Sequence, residues 1–76
     1  MYVGKLKKPS MGSVVHGKFS MMPMVGRAFK IDNDGPMGGE MTSNVTEILE
    51  STGTYVKFKT IDSTYVLEFM VDTPRT

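Results

Sequence analysis

The stretch that decides the fold is Met41–Met70, MTSNVTEILESTGTYVKFKTIDSTYVLEFM. It contains three runs rich in apolar and β-branched residues, separated by short turn signals, and this pattern predicts an antiparallel meander. The first run, 41–50, does not alternate strictly, so a short capped helical turn is its alternative interpretation. Its β-branched residues favour a strand, in which a β-bulge near Thr46–Glu47 would bring Val45 and Ile48 to the core.

The second and third runs, Tyr55–Thr60 and Thr64–Met70, predict a hairpin. Its turn is centred on Asp62-Ser63, in a loop of two or four residues. A further turn, Ser51-Thr52-Gly53, connects the first run to this hairpin as a three-residue loop with glycine in the left-handed conformation. Both turns are short enough to make the neighbouring strands antiparallel.

The predicted register of that hairpin pairs Phe58 with Leu67. Six residues then share one face: Val56, Phe58, Thr60, Tyr65, Leu67 and Phe69. On the opposite face Lys57 lies across from Glu68, so that opposite charges meet. Cross-strand pairs of this kind contribute about 0.2–1 kcal/mol each. A single register therefore gives apolar contacts on one face of the hairpin and pairs opposite charges on the other.

The first half of the chain carries two weaker strand signals. Apolar side chains alternate in residues 13–22, and Gly17 in their middle weakens the pattern or marks a bulge. Residues 25–32 fit a strand better than a helix. A loop rich in glycine and proline, Asp32–Glu40, follows. The whole chain then predicts about five strands.

Seventy-six residues without cysteine indicate one small domain that holds itself together by its core. We expect a basic, solvated and partly mobile lead-in over residues 1–12, with pairing of Tyr2, Val3 and Leu6 to a sheet edge as the alternative. A single β-domain over 13–72 and a polar tail over 73–76 follow. Five short strands must curl to protect their edges, so the fold class is all-β, a small antiparallel meander that closes into a barrel or roll. A flatter meander that dimerises through an edge strand or through its outer face is the alternative.

The composition argues against several classes of function. With no cysteine and a single histidine, His16, the chain offers neither a thiolate metal site nor a cluster of imidazole ligands. The Asp32–Glu40 loop lacks the ligand spacing of a calcium loop and the Lys-Ser/Thr of a phosphate loop. A nucleophile with its base would need His16 beside a serine together with an orienting carboxylate, and no sequence pattern indicates this set, so we expect no enzyme, no catalytic residue and no cofactor. Without an apolar stretch of about 18–20 residues or a signal-peptide pattern, the expectation is a cytoplasmic protein with no membrane contact.

Charge is distributed unevenly along the chain. Residues 1–30 carry a net charge of +6 without an acidic residue, and residues 31–76 carry −5. The six basic residues are Lys5, Lys7, Lys8, Lys18, Arg27 and Lys30. Such a segment either faces a partner, with nucleic acid as one candidate, or docks on the acidic half of a chain.

Methionine is the other unusual feature, with eight residues in the chain. Met21, Met22 and Met24 lie together in SMMPMVG beside the basic segment. Flexible thioether side chains adapt to a partner surface, although any one of them could equally fill a gap in the core. The predicted partner-binding residues are Lys5, Lys7, Lys8, Lys18, Met21, Met22, Met24, Arg27, Asp32 and Asp34.

Core and turn positions of the chain carry a family resemblance. They are Thr42-Ser43-x-Val45-x-x-Ile48, a turn at Gly53, Val56-x-Phe58-x-Thr60 and Ser63-x-Tyr65-x-Leu67. This pattern resembles small, largely uncharacterised bacteriophage and prophage proteins, and residues 25–70 are similar to the distal hairpin and long first loop of Src-homology-three barrels. The resemblance implies a Src-homology-three-like barrel or roll and a phage-like origin. The chain lacks tryptophan and the aromatic groove of those domains, so proline-rich peptide binding does not follow.

These observations together predict a non-enzymatic, phage-like accessory protein. We expect it to bind a host protein as an inhibitor, adaptor or anti-defence factor, and to self-associate into a homo-oligomer. A small nucleic-acid-binding β-barrel is the alternative function. Sequestration of a small nucleotide-like ligand is a third.

Overall fold

A computed structural model describes residues 1–33 and 39–71, and within these ranges it contains strands and no helix. The strands are β1 (Tyr2–Lys8), β2 (Ser13–Phe19), β3 (Ala28–Ile31), β4 (Glu40–Ser51), β5 (Tyr55–Thr60) and β6 (Thr64–Val71). They pair antiparallel in the order β2-β1-β6-β5-β4-β3. The predicted all-β class is confirmed. The predicted tail, 73–76, and most of the predicted 32–40 loop lie outside the described residues.

The two outermost strands of this order, β2 and β3, meet at one point and nearly close the sheet into a barrel. The backbone N–H groups of Lys18 and Asp32 each donate to the carbonyl of the other residue, at 2.7 Å. Gly17 allows this approach, because a Cβ atom at that position would lie against the Asp32 carbonyl. The glycine that weakens the sequence pattern is therefore the residue that lets β2 and β3 meet.

The predicted mobile lead-in over residues 1–12 is wrong for Tyr2–Lys8. This segment is β1, which pairs with β2 on one side and with β6 on the other. Leu6 is buried in the core. Gly4 stands where an apolar residue would complete the alternation, and it leaves space for the ring of Phe19. With β1, the described residues contain six strands, one more than the five predicted.

Strand β4 contains the predicted bulge. Its pairing with β5 shifts between Val45 and Glu47, and again between Ile48 and Glu50. Val45 is fully buried, and Ile48 is half-buried against the core. A strand with a bulge is thus the correct interpretation of this run, and the helical alternative is wrong.

The β5–β6 hairpin forms as predicted, but its register differs by two residues. Phe58 pairs with Tyr65 rather than with Leu67. The Thr60 hydroxyl accepts hydrogen bonds from the backbone N–H groups of residues 62 and 63, at 3.2 and 3.1 Å, and so fixes the turn one residue earlier than predicted. Because side chains alternate with period two, this shift leaves each side chain on its predicted face.

The turn between β4 and β5 also differs from the prediction. It comprises Thr52–Thr54, and the Thr52 hydroxyl accepts hydrogen bonds from the N–H groups of Thr54 and Tyr55, at 3.2 and 3.1 Å. Gly53 is not among the glycines with positive φ, so the predicted left-handed glycine is wrong. A threonine hydroxyl stabilises this turn instead.

The core fills the inside of the barrel. Its aromatic rings contact one another in sequence from β2 through β3 and β5 to β6, with centroid distances of 5.2, 5.7 and 5.4 Å. The buried apolar residues are Leu6, Phe19, Phe29, Ile31, Val45, Val56, Phe58, Tyr65 and Leu67. Phe19 of β2 and Phe29 of β3 are the first two rings of this series. Their contact in the core therefore also positions the surface beside these two strands. Among residues 1–33 and 39–71, no helix is long and apolar enough to span a membrane.

Substituting Gly17→Ala is expected to lower the free energy of unfolding by about 1–3 kcal/mol, the typical cost of forcing extra atoms into a packed site. Gly53→Ala is the matched control, because a Cβ atom there meets nothing and its φ is not positive. Its effect should stay within about 0.5 kcal/mol. Urea unfolding of both variants measures the difference, and equal effects would contradict the proposed role of Gly17.

Candidate functional site

A groove of about 250 Å³ lies where β2 and β3 separate beyond their contact. Strand β2 ends at Phe19, and the chain turns away through residues 20–27 before it enters β3. The buried rings of Phe19 and Phe29 line the groove together with three methionines. The incomplete closure of the barrel and the groove are thus one feature of the fold.

The methionines of the groove differ in exposure. Met21 and Met24 are 54% and 49% exposed, whereas Met22 is half-buried against the core. Pro23 between them is buried. The two adjacent residues that anchor this segment, Met22 and Pro23, are therefore flanked by methionines that remain at the surface, where adaptable apolar side chains suit contact with another molecule.

Strand β3 attaches to β4 through alternate residues. The N–H of Phe29 donates to the Thr42 hydroxyl at 3.0 Å, and the Arg27 carbonyl accepts from the Val45 N–H at 2.9 Å. The register shift between these strands adds its extra residue to β4, so the alternation along β3 is regular. Odd-numbered residues from 27 to 31 therefore direct their backbone groups toward β4.

The even-numbered residues of β3 direct their backbone groups toward β2. On that side, the backbone of Asp32 forms hydrogen bonds with the backbone of Lys18. Continuing this register would place Ser20 opposite Lys30, but β2 has already ended at Phe19. In the part of the chain that the structure describes, the backbone N–H and C=O of Ala28 and Lys30 have no backbone partner on this side. The groove thus borders a free strand edge.

Thr42 appears in the sequence pattern only as a core or turn position, and its role in this region was not predicted. It is only 6% exposed, and its hydroxyl accepts the Phe29 N–H and donates to the Ser43 carbonyl at 2.7 Å. At the shifted β3–β4 register this hydroxyl replaces a backbone carbonyl as the acceptor. No local pattern could reveal this, since the contact depends on how two distant strands align.

Basic residues dominate the charge around the groove. Arg27 lines it, is exposed, and has no carboxylate partner within residues 1–33 and 39–71. The Lys30 ammonium lies 3.7 Å from the Asp32 carboxylate, and both side chains are largely exposed. Lys18 adjoins through its backbone contact with Asp32. The charged residues that line the groove, Arg27, Lys30 and Asp32, therefore carry a net positive charge.

The structure divides the predicted binding residues between separate places. Those that line the groove are Met21, Met22, Met24, Arg27 and Asp32, and Lys18 adjoins them. Three lysines of β1 do not line it: Lys5, Lys7 and Lys8. Asp34 lies outside the described residues. Nearness in sequence thus identified the methionine segment but not the spatial grouping of the lysines.

The lysines of β1 have contacts of their own. The Lys7 ammonium forms an ion pair with Glu68 at 2.9 Å. Glu68 lies across from Tyr55 and Lys5, so the predicted pairing of Lys57 with Glu68 is wrong. The Lys8 ammonium lies 5.8 Å from the centroid of the Tyr65 ring.

Lys5 lines a second, more open groove of about 660 Å³. Its other lining residues include His16, Tyr55, Glu68 and Met70. A hydrogen bond from the Tyr55 phenol to Glu50 raises the pKa of that phenol, with burial and the charge of Glu50 acting in the same direction. Among the described residues, no group of three His, Cys, Asp or Glu side chains could hold a metal ion.

Comparisons of the chain with protein-family models, curated proteins and solved structures found no match.

Substituting Thr42→Val should lower the free energy of unfolding by about 1–3 kcal/mol, because it leaves the Phe29 N–H buried without an acceptor. Thr46→Val is the matched control on the same strand, since its exposed hydroxyl donates to the Lys59 carbonyl at 3.2 Å and water can replace it. We expect the control to change stability by about 0.5 kcal/mol or less. Chemical denaturation of the two variants tests this, and a control as destabilised as Thr42→Val would refute the role of the Thr42 hydroxyl.

Proposed function

We propose that the protein is a non-enzymatic binding domain that takes part of a partner protein into the groove between β2 and β3. The observation that supports this most is the placement of Met21 and Met24, half-exposed beside the buried rings of Phe19 and Phe29. Covering these side chains would remove apolar surface from water, which favours association.

The charges near the groove support the choice of partner. Arg27 has no carboxylate partner among the residues described, and Lys18 and Lys30 lie close by. An acidic segment would be attracted to this site and held in a preferred orientation. The proposed partner surface is therefore apolar at its centre and acidic at its margin.

The resemblance to bacteriophage and prophage proteins supplies the biological part of the proposal. We place the protein in the cytoplasm of a host cell, as an accessory factor that binds a host protein in the manner of an inhibitor, adaptor or anti-defence protein. Self-association into a homo-oligomer stays a prediction, which native mass spectrometry of the purified chain would test.

Two other functions have weaker support. For nucleic acid, the ion pair with Glu68 offsets the charge of Lys7, and Lys5, Lys7 and Lys8 do not line the groove, so the lysines of β1 add no charge for phosphate groups there. For a small nucleotide-like ligand, the supporting observation is the 660 Å³ groove, where Tyr55 and Lys5 could meet a base and a phosphate. That groove is open to solvent along the sheet, so we favour protein binding.

A double substitution, Met21→Glu with Met24→Glu, should weaken partner binding while leaving the fold intact, because both side chains are about half-exposed. Contacts central to an interface cost more than about 1 kcal/mol each when lost, which predicts a decrease in affinity of at least about tenfold. Met11→Glu is the matched control, since Met11 is 70% exposed in the turn at the other end of β2. The measurement is affinity capture from host lysate with the original chain and both variants.

The capture experiment has clear contrary outcomes. A host protein retained equally by the original chain and both variants would contradict binding at the groove. Salt-dependent binding to mixed oligonucleotides that both methionine variants retain would replace the proposal with the nucleic-acid alternative. Circular dichroism of the three proteins shows whether a loss of binding reflects a loss of structure.

A further inference from the structure

We infer that the partner enters the groove as an added β-strand, an extended acidic segment that pairs its backbone with Ala28 and Lys30 along the free edge of β3. This inference rests on the proposed function and specifies the form and chemistry of the bound segment.

The first support is the backbone geometry of β3. The N–H and C=O groups of Ala28 and Lys30 point away from β4 and have no backbone partner within residues 1–33 and 39–71. Unpaired backbone groups at a strand edge form a template for another strand. The Lys18–Asp32 pair already sets an antiparallel register along this edge, and an added strand would continue it into the space that β2 leaves after Phe19.

The second support is the division of side chains along β3. Phe29 and Ile31 are buried, whereas Ala28 and Lys30 are exposed on the outer face. Residues of an added strand directly opposite Ala28 and Lys30 would point outward with them, and the residues between would point inward. The inward residues would meet Met22 and the ring of Phe29, so they should be apolar.

The third support is charge. A carboxylate opposite Lys30 would form a favourable cross-strand pair, and Arg27 at the start of the strand offers a second cation to the same segment. A second copy of β3 would bring its own Arg27 and Lys30 to this edge, so like charges would gather there. The segment that fits best therefore belongs to a different protein and alternates apolar with acidic residues.

The short length of the edge explains why backbone pairing and the methionine contacts would act together. β3 spans only Ala28–Ile31, so few hydrogen bonds are available to hold an added strand. A net contribution of about 0.5–1.5 kcal/mol per hydrogen bond would not give tight binding alone. Apolar contacts with Met21 and Met24 would supply the remainder.

A surface-displayed library of random linear peptides, selected on the full chain, tests the inference. Enriched peptides should carry acidic and apolar residues in alternation, and synthetic fluorescent copies should bind in fluorescence polarisation. Ala28→Pro removes the N–H that the inference uses and should weaken binding by about tenfold or more. Ala28→Ser keeps that N–H at the same exposed position and should bind within about twofold of the original chain.

An N-methyl scan of an enriched peptide tests the same point without altering the protein. Each methyl group removes one backbone donor of the peptide, so binding should fall at every second residue if the peptide is a strand. This scan decides the question even where Ala28→Pro disturbs the fold.

The outcomes separate this inference from the proposed function. Peptides that lose binding with Met21→Glu and Met24→Glu, but tolerate Ala28→Pro and N-methylation at every position, overturn the added strand and leave groove binding in place. Failure to enrich any peptide, or enrichment only of peptides insensitive to both sets of variants, overturns both. Loss of binding in Ala28→Pro with a period-two N-methyl pattern supports both.

Discussion

The two hydrogen bonds between the backbones of Lys18 and Asp32 determine the form of the molecule. Within the described residues, β2 and β3 are the ends of one sheet, and this exchange joins them. Without it, the sheet would have two unprotected edges, which natural proteins avoid. The exchange lies near the end of β2, so the barrel closes at one level and is open beyond it. Closure and groove therefore have the same origin.

Two kinds of contact make this partial closure possible. Gly17 supplies the missing side chain that lets the Asp32 carbonyl approach, and the Thr42 hydroxyl holds the Phe29 backbone where the β3–β4 register shifts. The ring of Phe29 then packs against Phe19 at a centroid distance of 5.2 Å. Core packing thus holds β3 in a position where one side of its backbone forms hydrogen bonds with β4 and the other side faces the groove.

Much of the fold could be predicted from the sequence, because local patterns determine it. Alternation identified the β5–β6 hairpin and its two faces, and the broken alternation at Val45 and Ile48 predicted the bulge in β4. The predicted register of the β5–β6 hairpin was wrong because the Thr60 hydroxyl sets the length of its turn. The hydrophobic pattern alone does not determine that length. Strand β1 was predicted only as an alternative to a mobile lead-in, because Gly4 interrupts its apolar alternation and its pairing with β6 spans the length of the chain.

The candidate site could be predicted only in part, for the same physical reason. Met21, Met22 and Met24 are neighbours in sequence, so composition pointed to them. The free backbone of Ala28 and Lys30 follows from where β2 ends relative to β3, which is a long-range property. The basic residues were grouped by sequence, but the lysines of β1 lie outside the groove.

Residue-resolved amide hydrogen exchange along β3 tests the central claim most directly, because it reports on each N–H of the free protein. The amides of Phe29 and Asp32 donate to Thr42 and Lys18 and should exchange slowly. The amides of Ala28 and Lys30 should exchange at rates near those of an unstructured peptide. Equal, strong protection of all four amides would show that the edge of β3 is already paired, and it would contradict both the free strand edge beside the groove and the binding proposed there.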